Sequence, residues 1–165
     1  MSAQLKFFDM EVTHDQAEMI PFIRAAMSAS SRPIRLLASP WSPPAWMKGK
    51  VEGKKSMTGS DQPNGLKNDV RVKTAWANYF SKFITAYAGQ GVPIWAVTPQ
   101  NEPEFAAPWE ACAYNSSFES DFINQFLGPV LDNDHPQVTV TGSALCPLVG
   151  CEGRYMCLSS KTSKR

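Results

Sequence analysis

The sequence is poor in histidine, poor in cysteine until its last twenty residues, and nearly without net charge. His14 and His135 are the only histidines, far apart, and Cys112, Cys146, Cys151 and Cys157 are the only cysteines. The last three are spaced C-x4-C and C-x5-C, which fits neither a zinc ribbon nor a redox C-x-x-C. A metal site is therefore not expected. The cysteines read as free thiols, or as a local disulfide in an oxidising compartment. Sixteen basic residues against fifteen acidic ones give no charge excess to attract nucleic acid. No apolar run reaches the ~18–20 residues of a membrane span. The start, MSAQLKFFDMEVTHD, lacks the basic-then-apolar layout of a signal peptide.

What is present is a chain able to bury a core. It has 165 residues, 43% of them hydrophobic, enough for one domain. Thr13 and Gln16 have capping-box spacing, and Met19, Ile20, Ile23 and Met27 follow at helical period, predicting a helix over about 16–29. Pro21 falls in its first turn or marks a kink. Ile34, Leu36 and Leu37 read as a short buried strand ended by Ser39-Pro40. Residues 42–68 read as a long loop. Val72, Ala75, Trp76, Tyr79, Phe80, Phe83, Ile84 and Tyr87 form the clearest amphipathic helix, terminated by Gly89 and Gly91. PIWAV at 93–97 is apolar throughout, as in a parallel strand covered on both faces. Ser116 and Glu119 offer a second capping box before a helix through Phe118, Phe122, Ile123, Phe126, Leu127 and Val130. QVTVTG at 137–142 reads as a third strand. Alternating helices and strands predict an α/β fold with a parallel sheet. It is either part of an open doubly wound sheet or part of a (β/α)8 barrel, which needs about 250 residues when complete.

The chemistry is expected beyond the strand ends, where parallel α/β folds place it. Glu102, in WAVTPQNEP, follows the second strand. Partial desolvation there would keep a carboxyl protonated for general-acid work. Asn101 can hydrogen-bond a sugar hydroxyl. Pro103 is expected to hold Glu102 extended and so to aim its side chain. Alone, the tripeptide reads equally as loop chemistry. Trp41 and Trp46 in SPWSPPAW, and Trp109, each read alone as packing. Three indoles beyond neighbouring strand ends, with Glu102 at the same end, point instead to a carbohydrate cleft. Glu104, Glu110, Glu119 and Asp121 read as solvated surface charges.

Two long stretches, RPIRLLASPWSPPAWMK and WANYFSKFITAYAGQGVPIWAVTPQNEP, closely resemble glycoside hydrolase family 30, the family of the glucosylceramidases, and SDFINQFLGPVL continues the likeness. It covers roughly residues 15 to 142 and is loosest over 49–69. The resemblance implies a (β/α)8 TIM barrel, of which this chain spans about strands three to five, truncated at both ends. Residues 1–142 would form the partial barrel and 143–165 an irregular tail. It also implies hydrolysis of a β-glucosidic bond with retention, in glucosylceramide or a related β-glucoside, with no metal or organic cofactor. Glu102 matches the general acid/base, Asn101 the contact to the 2-hydroxyl, Trp41 a wall of the glucose pocket and Trp109 an aromatic at its mouth, with Trp46 nearby. The family's nucleophile belongs to the seventh strand and has no counterpart here, so the chain alone is expected to be inactive. A full-length relative is expected to be lysosomal or secreted, with access to lipid at a membrane surface. Two other readings compete: a non-catalytic module that holds sugar or lipid through Trp41, Trp46 and Trp109 or binds the full-length enzyme as an interaction module, and a β-1,6-glucanase or xylanase of the same family. Asn115-Ser116-Ser117 is an N-glycosylation sequon, or a plain helix start.

Overall fold

The computed structural model describes residues 5–51, 54–59, 65–142 and 156–157. In chain order these form α1 (Thr13–Gln16), α2 (Met19–Ala29), β1 (Leu36–Ala38), β2 (Lys50–Val51), β3 (Lys54–Lys55), α3 (Val70–Gly89), β4 (Ile94–Val97), α4 (Ser116–Phe122), α5 (Gly128–Asp134), β5 (Thr139–Gly142) and β6 (Met156–Cys157). A 3-10 turn (Ala45–Met47) and the β2–β3 hairpin occupy part of the expected long loop.

β1, β4, β5 and β6 lie side by side, all parallel, with Ala38 opposite Val97 and Val97 opposite Val140. The crossover helices make the sheet parallel, since parallel neighbours cannot be joined by a tight turn. The expected tail falls outside the described residues except for β6, which pairs with β5 as a strand rather than irregularly.

The core lies between the sheet and α3. Trp76, Phe80 and Ile84 of α3 pack with Phe122, Leu127 and Leu131 and with Val97 and Val140 of the strands. Burying a side chain the size of Phe122 contributes about 1.5–3 kcal/mol. Leu37 points to the other face, by strand alternation, and is 54% exposed. Among the described residues no helix is long and apolar enough to cross a membrane.

Three helix starts differ from the sequence reading. The first helix is broken at Ala17–Glu18, and Thr13 caps nothing. The N-cap position is Val12, with no side-chain cap, and the Asp9 carboxylate braces the turn before it by accepting from the backbone N–H groups of Glu11 and Thr13. α3 begins at Val70 because Asp69 accepts from Arg71 N and Val72 N. α4 is capped by Asn115, one residue before the expected Ser116. Between α4 and α5 the helix widens to a π-turn over Ile123–Leu127. A regular α-helix there would drive the Pro129 ring into the carbonyl four residues earlier, and widening relieves that clash.

Candidate active site

The loops after β1 and β4 are locked side by side beyond the strands' C-terminal ends. Thr98 N donates to Ala38 O at 3.0 Å and Asn101 N to Pro40 O at 2.9 Å. The Ser39 and Thr98 hydroxyls meet at 2.6 Å. Gln100, only 2% exposed, donates from Nε2 to Trp41 O at 2.7 Å and Asn101 O at 2.9 Å. One buried amide therefore joins the backbone of Trp41 to that of the residue before Glu102. The Oε1 of Gln100 has no hydrogen-bond donor among the described residues.

Glu102 is not extended. Its φ is 44°, in the left-handed region that side chains other than glycine rarely adopt. Pro103 biases Glu102 toward extended backbone, and the chain reversal here overrides that bias. The Glu102 carbonyl accepts from Phe105 N at 3.0 Å, closing that reversal. Holding a non-glycine residue there costs about 1–2 kcal/mol, and such strain clusters where a side chain must be aimed. Glu102 is also exposed, not partly desolvated, because the turn lifts it clear of the strand residues that are buried. Glu102→Gly is expected to raise the urea midpoint of the chain, because the strain relieved, about 1–2 kcal/mol, exceeds the roughly 0.4–1 kcal/mol that glycine's extra freedom in the unfolded chain costs. An unchanged or lower midpoint would mean that the strain at Glu102 is no larger than that cost.

The loop behind Glu102 is anchored by Tyr114. Its backbone N donates to Pro103 O at 2.8 Å, and its buried hydroxyl accepts from the Trp76 indole at 3.0 Å. Burial pushes the Tyr114 hydroxyl well above the usual tyrosine range. A second anchor is Lys48, 1% exposed, whose Nζ donates to the carbonyls of Met57, Thr58 and Ala111 at 2.9, 3.0 and 2.6 Å. It ties the β1–α3 loop to the β4–α4 loop. Gly59 lies so close to the second loop that a Cβ would stand 2.7 Å from the Ala107 backbone. Cys112 beside them is fully buried, and burial pushes its thiol up to about 12.

On these tethered loops Trp41, Trp46 and Trp109 are each about half exposed, and Phe105 meets Trp109 edge to face at 6.1 Å between centroids. An open depression of about 480 Å³ lies elsewhere on the loops, lined by Gly49, Gly65, Leu66, Lys67, Asn68 and Asp69; Glu102 is not part of it. The hollow's carboxylate, Asp69, caps α3 and pairs with Arg71, its Lys67 donates to Trp46 O, and its lining includes no aromatic ring. Of the other acids, Glu104 and Glu110 are exposed, as expected. Glu119 is not a solvated charge, since it is only 6% exposed in α4, and Asp121 pairs with Lys73 Nζ at 2.9 Å.

Sequence reasoning missed Gln100, Lys48 and Tyr114. Tyr114 had a usable signal, standing four and eight residues before Phe118 and Phe122, both of which it touches edge to face. Gln100 and Lys48 had none, because polar residues in a loop read as solvated.

Chemical groups on loops beyond the C-terminal ends of parallel strands are the arrangement of α/β-barrel enzymes. Residues 2–141 match the Glycosyl hydrolase family 30 TIM-barrel domain, and the chain belongs to that family as a partial (β/α)8 barrel. The chain is 42% identical over 125 residues to the lysosomal acid glucosylceramidase of Mus musculus, covering 72% of this chain and 23% of that protein. It is 30% identical over 123 residues to the endo-1,6-beta-D-glucanase neg1 of Aspergillus fumigatus, covering 71% of this chain and 25% of that protein. The crystal structure of SrfJ from Salmonella typhimurium superposes with a TM-score of 0.68 at 29% identity, over 79% of this chain and 27% of that one. The chain thus spans about a quarter of the length of the relatives it matches.

Proposed function

We propose that this chain carries the acid/base half of a retaining β-glucosidase site, with Glu102 as the proton donor and no nucleophile. The observation that carries this reading is the strained turn that sets Glu102 past β4, with the β1 loop bearing Trp41 hydrogen-bonded alongside. In the reaction, Glu102 protonates the aglycone oxygen as the bond to the anomeric carbon breaks, then draws a proton from the incoming water. Asn101 holds the 2-hydroxyl, Trp41 forms a wall for the sugar, and Trp46 and Trp109 stand at the mouth. Residues 1–142 act as the barrel segment, to which 143–165 contributes β6 beside β5.

Glucosylceramide is the substrate we favour. The mouse relative is a glucosylceramidase, and Trp46, Met57, Phe105 and Trp109 present exposed apolar surface suited to a lipid aglycone at a membrane surface. A β-1,6-glucan is the second reading, motivated by the Aspergillus relative. The lysosomal relative supports a lysosomal or secreted location.

Retaining hydrolysis needs two carboxyl groups about 5–5.5 Å apart. Glu104 lies two residues from Glu102, too near in sequence to face it across a sugar. The 165-residue chain, assayed with a fluorogenic β-glucoside, is expected to give no turnover above solvent background. Turnover that disappears in Glu102→Gln would show that a nucleophile is present after all.

A further inference from the structure

We propose that Asn115 is an asparagine-linked glycosylation site and that its glycan stands on the same rim as Glu102. Asn115-Ser116-Ser117 is the single Asn-x-Ser/Thr triplet in the sequence, and its middle residue is not proline. Asn115 and Ser117 are both exposed. The buried Tyr114 ring on one side and Phe118 on the other, 5.2 Å apart between centroids, fix the backbone that presents Asn115 outward.

The helix-capping role of Asn115 uses a different atom from glycan attachment. Oδ1 accepts from Phe118 N at 2.8 Å, while Nδ2 makes no hydrogen bond among the described residues. Attachment occurs at Nδ2. That nitrogen displaces a lipid diphosphate from the anomeric carbon of a lipid-linked oligosaccharide. The N–C bond forms, the C–O bond breaks with its electron pair leaving on the diphosphate, and one Nδ2 proton is lost to base. The amide carbonyl survives, so the glycosylated residue still caps α4. Since Tyr114 N is bonded to Pro103 O, the glycan emerges one residue from the anchor of the Glu102 turn.

The inference rests on the secretory or lysosomal location proposed above, and the experiment reads location separately. The native protein is isolated from membrane-enclosed and cytosolic fractions with an antibody to 70–89, treated with peptide-N-glycosidase in ¹⁸O-water, and mapped by mass spectrometry. Asn115 recovered as ¹⁸O-labelled Asp is the expected result. Unmodified Asn115 in protein from the membrane-enclosed fraction overturns the glycan and leaves the location standing. Protein found only in the cytosol with unmodified Asn115 overturns both. In the same source, Ser117→Ala and Asn115→Asp both keep a cap acceptor and are each expected to abolish the glycosidase-sensitive mobility shift. A shift that survives in either variant contradicts attachment at Asn115.

Discussion

Glu102→Gln is expected to lower kcat/KM by about 10²–10⁴ on a β-glucoside with a poor leaving group, the range over which a positioned general acid acts. The protein for this test is the mouse lysosomal glucosylceramidase with its matching segment replaced by residues 15–142 of this chain. The factor corresponds to about 2.7–5.4 kcal/mol of barrier. An alkoxide leaving from the anomeric carbon is unstable, so the bond breaks readily only as the oxygen gains a proton. A leaving group acidic enough to depart as an anion needs none, and its kcat/KM is expected to be nearly spared. Gln is isosteric with Glu and leaves the backbone at φ 44° as it was. An equal loss on both substrates would therefore mean damaged binding, not lost proton transfer.

Lys48→Met is expected to destabilise the chain by on the order of 3 kcal/mol, because it leaves three carbonyls, that of Ala111 buried and those of Met57 and Thr58 part-buried, without their charged donor. Methionine keeps most of the stem, so the change isolates the ammonium. Against a typical domain stability of about 5–15 kcal/mol, such a loss is large. The damage would fall on the rim, since Lys48 joins the loop of Met57 and Thr58 to that of Trp109 and Ala111. Urea denaturation measures it. A midpoint equal to wild type would show that the three bonds contribute no net stability.

Long periodic elements were legible in the sequence. The apolar stripe of α3, the unbroken apolarity of β4 and the alternation of helix and strand all follow from burial, which acts on every residue of an element at once. Element ends were less legible because single atoms decide them. Asp69 and Asn115 cap because their carbonyl-type oxygens reach N–H groups two or three residues on, and nearby Ser116 and Thr13 were equally plausible by type. The position of Glu102 past β4 was readable, but its left-handed backbone was not. Pro103 favours the extended conformation, and the left-handed one goes with the bonds of Asn101 to Pro40 and of Phe105 to Glu102, contacts set by the fold. Lys48 was the least legible of all, since a lysine in a Gly- and Lys-rich loop gives no sign that three carbonyls surround it.

We propose Glu102 as the proton donor and not the nucleophile. The most direct test is the product formed by Glu102→Ala in the mouse-enzyme chimera, with azide and an activated β-glucoside. β-Glucosyl azide is the expected product, because azide would attack a glycosyl-enzyme that no longer has a base to activate water. α-Glucosyl azide would make Glu102 the nucleophile, and wild-type turnover with no azide product would remove it from the chemistry.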